Sequence, residues 1–179
     1  MPRIIDMQEG RRLLAAKRAF HNWTSRFHED LGPDTLLGDL SLKTLSFLAQ
    51  GRDSGAFYLY DLIMRLKNLG SGFEFHELDS KNKMAVMDIH LFLLDRIRFE
   101  CMKRLGWLES YPGEDLALMD LVVQFDRLAP GLQARIPLLS PNHPEYPRFA
   151  EATAFDREGV IRRLIPRLVK KMGDYADIL

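Results

Sequence analysis

Apolar residues recur at steps of three and four along most of this chain, which is the spacing of amphipathic helices. The longest such pattern runs from Ser80 to Leu105, where Asp79 or Ser80 can cap the start and Gly106 can end the helix. Turning each residue through about 100° gives one broad arc that contains His90 among apolar side chains: Met84, Val86, Met87, Leu91, Leu93, Leu94, Ile97, Cys101 and Leu105.

This pattern predicts a long central helix over about 80–105, against which the other segments pack. Because only Asp88 and His90 are polar between Met84 and Leu94, this part of the helix is expected to be covered on most sides. The second half is expected to be an amphipathic stripe. Its polar side would carry charged residues that include Asp95, Arg96, Glu100 and Lys103.

Five further helical patterns are visible, over 8–29, 41–50, 53–69, 114–129 and 155–175. Residues 31–40 are a predicted connection, and residues 73–78 are a predicted extended or single-turn connector. The tripeptide 70–72, Gly-Ser-Gly, is the candidate flexible joint. The prediction is therefore an all-α fold, a single-domain irregular helical bundle of about six helices over residues 1–179.

The segment 130–149, named the strap here, is rich in proline and should not hold a regular helix for long. It also carries apolar residues, which favour an ordered cover packed over the helices rather than a solvated linker. The prolines and the apolar side chains are Pro130, Pro137, Pro141, Pro144, Pro147, Leu132, Ile136, Leu138, Leu139, Tyr146 and Phe149. The strap is either a functional lid or a passive cover.

Composition adds few constraints on function. Lys plus Arg and Asp plus Glu number 25 each, so no overall field favours nucleic acid or an acidic membrane. The one cysteine, Cys101, cannot form an internal disulfide, which fits a reducing compartment. No stretch resembles a signal peptide or reaches the ~18 apolar residues of a membrane span. A cytoplasmic protein without a membrane segment is therefore expected.

Catalytic motifs are absent from the sequence. No nucleophile elbow, phosphate-binding glycine loop or zinc spacing occurs, and we predict neither a metal nor a cofactor. The remaining acid–base candidates are His90, in the middle of an apolar arc, and His76 with Glu77 in the connector before the central helix. A core histidine and a solvated connector explain these residues without any chemistry.

Two charged pairs have predicted structural roles. His90 and Arg98 both fall on or beside the apolar arc, so each needs a polar partner if it is buried. Asp126 is the first candidate partner, which predicts a buried network of His90, Arg98 and Asp126. Asp61 and Arg65 are four residues apart and are expected to form an ordinary surface pair.

Two sets of residues are candidate partner surfaces. Phe92 and Phe99 lie seven apart on the polar side of the central helix, where another protein or another segment of this chain could cover them. The last helix is locally basic, with six basic residues against one acid between 157 and 171. Its candidate surface comprises Arg162, Arg163, Arg167, Lys170 and Lys171.

Three functional hypotheses follow. The first is a non-enzymatic helical protein-interaction or self-associating module, with a protein partner or a homo-oligomer. The second is a small-ligand or metal-dependent enzyme with a pocket under the strap near His90. The third is binding of nucleic acid or an acidic surface through the basic last helix, although nucleic-acid readers usually show a positive bias across the whole domain, which is missing here.

Overall fold

The computed structural model describes the backbone of residues 6–178 and the side chains of residues 6–176. The described chain is predominantly α-helical with one small two-stranded sheet, so the all-α prediction is confirmed. The first five helices are α1 (Met7–Ala19), α2 (His21–Phe27), α3 (Leu42–Ala49), α4 (Asp53–Leu66) and α5 (Ser80–Arg104). Short 3-10 turns, Leu37–Asp39 and Gly72–Glu77, precede α3 and α5.

The second part of the chain has shorter elements. After α5 come β1 (Leu108–Ser110), α6 (Leu118–Val123), α7 (Phe125–Gln133), β2 (Leu138–Leu139), α8 (Tyr146–Glu151) and α9 (Ala154–Ile178). The strands β1 and β2 pair antiparallel, with Leu108 opposite Leu139. This pairing ties the strap to the segment that leaves α5.

Helix α5 has the central position that the sequence predicts. The Asp79 carboxylate accepts a hydrogen bond from the Asn82 backbone N–H at 2.8 Å, which satisfies one orphan donor of the first turn. At the other end Gly106 adopts φ 78°, a left-handed conformation that glycine tolerates without strain. Helices α3, α4 and α9 all pack against α5.

The burial along α5 runs opposite to the prediction. Its second half is enclosed on nearly all sides, and the buried set includes two charged residues that were expected on the solvent side, Arg96 and Glu100. Its first half is the amphipathic one, because Met84, Met87 and Leu91 are exposed. The reason is tertiary: β1, the 3-10 turn Leu37–Asp39 and α9 cover α5 beyond what its own periodicity indicates.

Two predicted helices are each broken into two. The first bends at Phe20, so that the Trp23 indole N–H reaches the backbone carbonyl of Tyr58 in α4 at 2.8 Å. The second predicted helix, over 114–129, breaks at Gln124 and divides into α6 and α7. Helix α7 also continues through Pro130 to Gln133, although Pro130 was expected to end it. The carbonyl that Pro130 leaves without a donor belongs to Asp126, which is exposed to water.

The tripeptide 70–72 is held by hydrogen bonds. The Gly72 N–H donates to the Asp61 carboxylate at 2.9 Å, and the Ser71 N–H donates to the Glu74 carboxylate at 3.0 Å. A side chain at Gly72 would meet Phe57 and Asp61 at 2.9–3.2 Å. Whether residues 70–72 move as a flexible joint remains a prediction, because these hydrogen bonds describe one conformation. Within residues 6–178, every helix is too short or too polar to cross a bilayer.

Candidate functional site

The first half of α5 presents an unpaired apolar face. Met84, Met87 and Leu91 follow steps of three and four, and 66%, 45% and 59% of their surfaces are exposed. Their spacing in the sequence predicts that these three residues share one arc of the helix. The sequence does not predict that this part of the arc is left uncovered. We call Met84, Met87 and Leu91 the apolar face of α5.

Charged residues flank this face in an ordered way. Lys81, Asp88 and Asp95 are spaced by seven residues, so they follow one line along the helix beside the apolar face. Lys81 and Asp88 are exposed, whereas Asp95 is partly buried and forms an ion pair with Arg162 of α9 at 2.9 Å. The line is therefore positive at its N-terminal end and negative farther along.

Phe92 and Phe99, one of the two predicted partner surfaces, are buried inside the chain. Phe92 packs edge-on against Phe125 of α7 with ring centroids 5.4 Å apart, and Phe99 lies 6.1 Å from Tyr111. The Arg96 guanidinium lies 5.0 Å from both phenylalanine rings. Other segments of the same chain cover these two side chains, so they do not form a surface for a partner.

His90 is buried, as its position on the apolar arc predicts, and its ring stacks on Tyr60 of α4 at a centroid distance of 4.4 Å. Its Nε2 has no hydrogen-bond partner among the described residues. Burial, and then the nearby positive charge of Arg98, lower the pKa of His90 from 6.5. The imidazole is therefore kept neutral near pH 7 in a mostly apolar environment.

The predicted network of His90, Arg98 and Asp126 is not assembled in the described part of the chain. The Arg98 Nε donates to the backbone carbonyl of Ala49 at 2.9 Å instead. Asp126 lies on the exposed side of α7. Angle around a helix placed Asp126 near the buried face, but the break at Gln124 reorients the helix that carries it.

His76 and Glu77 are exposed in the 3-10 turn Gly72–Glu77. The His76 ring packs edge-on against Phe75, which in turn contacts Tyr60. Among the residues with described side chains, no three His, Cys, Asp or Glu residues converge in a way that could hold a metal ion.

The five basic residues of the candidate surface on α9 divide into two groups. Arg162 pairs with Asp95 and lies 3.9 Å from Glu158, so neighbouring carboxylates balance its charge. The other four, Arg163, Arg167, Lys170 and Lys171, are exposed. Lys171 also lies 5.8 Å from the centre of the Trp107 ring.

Buried carboxylates are the feature that the sequence analysis missed. Asp61 is fully buried and accepts hydrogen bonds from Asn22 at 3.0 Å, from Arg65 at 3.0 Å and from the Gly72 backbone at 2.9 Å. It therefore joins α2, α4 and the turn before α5, and is not part of a surface pair. The four-residue spacing to Arg65 was the only sequence signal, and surface pairs share that spacing.

Glu100 is the second buried carboxylate. The Tyr111 hydroxyl donates to it at 2.7 Å, and the Arg104 Nε donates at 3.3 Å. Burial and the hydrogen bond to Glu100 raise the pKa of Tyr111, so the hydroxyl remains a donor. Cys101, the next residue, is buried as its place on the apolar arc predicts, and burial raises its thiol pKa to about 12, which makes the thiol unreactive.

Comparison of the chain with protein-family models, with curated proteins and with solved structures gives no match.

Proposed function

We propose that this chain is a self-associating helical module, in which two copies pack the apolar faces of α5 against each other. The observation that supports this is the exposure of Met84, Met87 and Leu91 along one side of a helix whose other sides are packed. Covering such a face removes apolar surface from water, which is the main driving force of protein association. Methionine suits this role because its flexible thioether adapts to a partner surface.

A second copy fits this face better than an unrelated partner because the flanking charges are self-complementary. When two α5 helices cross antiparallel about a twofold axis, Met84 of one lies near Leu91 of the partner subunit. The same axis brings Lys81 of one copy toward Asp95 of the partner subunit, and it places Asp88 beside the partner subunit's Asp88, where like charges weaken the dimer. Opposite charges then meet at both ends of the interface.

The size of the face indicates a weak dimer. A stable interface buries about 800 Å² on each partner, whereas transient complexes bury less. Three partly exposed side chains fall toward the transient end of that range. We therefore expect a dimer that forms and dissociates with protein concentration rather than an obligate one.

Sedimentation equilibrium over a wide range of protein concentration tests the proposal. The wild-type chain is expected to show a reversible monomer–dimer equilibrium, and Met84→Glu to shift it at least about tenfold toward monomer by burying a charge in the interface. Leu14→Glu is the matched control, because Leu14 is 70% exposed on α1, a helix that packs against α4.

Two results would contradict self-association through this face. One is a wild-type chain that stays monomeric at every concentration. The other is a dimer that both glutamate variants weaken equally, because that would place the interface elsewhere.

A further inference from the structure

A cavity of about 210 Å³ lies between α5, α9 and the irregular part of the strap. Its walls combine Arg96 and Phe99 from α5, Arg135 and Ile136 from the strap, and Glu158 and Arg162 from α9. The sequence predicted a pocket beneath the strap near His90. Among the described residues, His90 does not line this cavity, and an arginine cluster does.

Arg96 is the buried member of this cluster, with 3% of its surface exposed. Its Nη1 donates to the backbone carbonyl of Pro112 at 2.6 Å, and the rings of Phe92 and Phe99 lie on its guanidinium at 5.0 Å. Its Nε has no partner among the described residues. Buried guanidinium groups normally have their donors satisfied, so Arg96 has hydrogen-bonding capacity that the described residues do not use.

The electrostatic environment points the same way. The pKa of Arg96 is lowered to about 10, chiefly by burial, with smaller lowering effects of Arg162 and Arg135 against raising effects of Asp95 and Tyr111. Arg96 still carries its charge near pH 7. Its charge is therefore held away from bulk water, and an anion in the cavity would compensate it.

Guanidinium groups outnumber carboxylates around the cavity. Arg162 is held by Asp95 at 2.9 Å and lies 3.9 Å from Glu158. Arg135 is exposed at the rim and makes no ion pair with any described side chain. Three guanidinium groups against two carboxylates leave a formal charge of +1 around the cavity.

We propose that this cavity binds a small organic monocarboxylate. Its carboxylate accepts hydrogen bonds from Arg96 and Arg135, and its hydrocarbon part lies against Phe99 and Ile136. Guanidinium forks match the geometry of a carboxylate, which can accept two parallel hydrogen bonds. Ligand binding here does not require self-association, because one chain supplies every residue that lines the cavity. Asp95, which holds Arg162, is the residue that the two proposals share.

Charge and size separate a monocarboxylate from inorganic phosphate. A monoanion neutralises the formal charge of +1, whereas a phosphate dianion would leave a buried negative charge uncompensated. The apolar walls favour a ligand that has a hydrocarbon part. The cavity is smaller than the roughly 300 Å³ of ordinary ligand pockets, so it suits a body of only a few carbon atoms.

Isothermal titration calorimetry with 3-methylbutanoate, and with inorganic phosphate as the comparison, tests the proposal on the full chain. We expect saturable one-to-one binding of 3-methylbutanoate and weaker binding of phosphate. Arg135→Gln should weaken carboxylate binding at least about tenfold, because it removes a charged donor at the rim. The matched control, Arg163→Gln, changes an exposed arginine of α9 outside the cavity and should bind like the wild type.

Arg96→Met should abolish binding, and circular dichroism checks that this variant is folded. If it is not folded, the exposed Arg135 decides the outcome. The proposal is overturned if 3-methylbutanoate shows no saturable binding up to about 10 mM. It is also overturned if phosphate binds more tightly, or if Arg135→Gln and Arg163→Gln bind equally well. The Met84→Glu variant should bind 3-methylbutanoate normally, which separates this proposal from self-association.

Discussion

At the residue scale, His90 connects burial to pH. Its pKa is lowered from 6.5 in the folded chain by burial and by Arg98. As the pH falls below 6.5, the unfolded chain takes up a proton at this position before the folded chain does. The free energy of unfolding should therefore decrease as the pH falls from 6.5 through the lowered pKa, while above 6.5 this residue contributes no pH dependence.

The variant His90→Phe should keep the stacking on Tyr60 and lose this part of the pH dependence. It also removes the unpartnered Nε2, so we expect it to be at least as stable as the wild type at about pH 7.5. Urea unfolding at about pH 7.5 and about pH 5.5 measures both effects. His21→Gln, at an exposed histidine, is the control. If His90→Phe loses as much stability on acidification as the wild type, the proton uptake belongs to other groups.

Single residues are predictable where one helix decides their environment. The spacing in α5 placed His90 and Cys101 inside, and both are buried. It failed for Arg96 and Glu100, because Pro112 accepts a hydrogen bond from Arg96 and Tyr111 donates one to Glu100, both from a segment beyond the end of the helix. The angle of a residue around its helix says nothing about what a later segment brings to it.

At the element scale, the close approach of α3 and α4 depends on Gly55. A Cβ atom there would lie 2.8 Å from the Phe47 backbone carbonyl oxygen. Gly55→Ala should therefore force the two helices apart and destabilise the chain by about 1–3 kcal/mol.

Gly131→Ala is the matched change, since Gly131 lies in α7 with nothing within 4 Å of its added Cβ. It should instead stabilise by about 0.5–1 kcal/mol. Thermal or urea unfolding compares the two, and equal effects would mean that α3 and α4 can separate freely.

Helix ends were more predictable than helix breaks. Ser41 and Asp79 cap α3 and α5 through their own side chains. Such capping residues can be recognised from the local sequence. The breaks at Phe20 and Gln124 have no such signal. At Phe20 the chain turns because Trp23 and Asn22 bind groups on α4, and that contact exists only in the folded molecule.

At the scale of the whole molecule, the uneven burial of α5 predicts an uneven local stability. Residues 92–102 are enclosed almost completely, whereas several residues between 80 and 91 face solvent. Hydrogen exchange at low protein concentration should therefore be slowest over 92–102 and faster over 81–88. Mass spectrometry of proteolytic fragments measures this difference. Slower exchange in the first half would mean that another element covers it in solution.

The general architecture was predictable, and the place of the cavity was not. A helical fold with a long central helix follows from periodicity alone, and the prolines of the strap mark a segment that holds only short helical pieces. The cavity beneath the strap is lined by Arg96 and Arg135 rather than His90, because its position depends on how far along α5 the strap crosses. The pairing of β1 with β2 determines that crossing, and two strands of two or three residues leave almost no pattern in a sequence.

The enclosure of Cys101 within α5 has a practical consequence. The native chain offers no reactive thiol at its surface among the described residues, since its one thiol is buried and protonated. Air oxidation cannot cross-link intact molecules through it. A maleimide dye would attach only during rare openings of the core. The rate of labelling at Cys101 therefore reports on those openings without any engineered reporter.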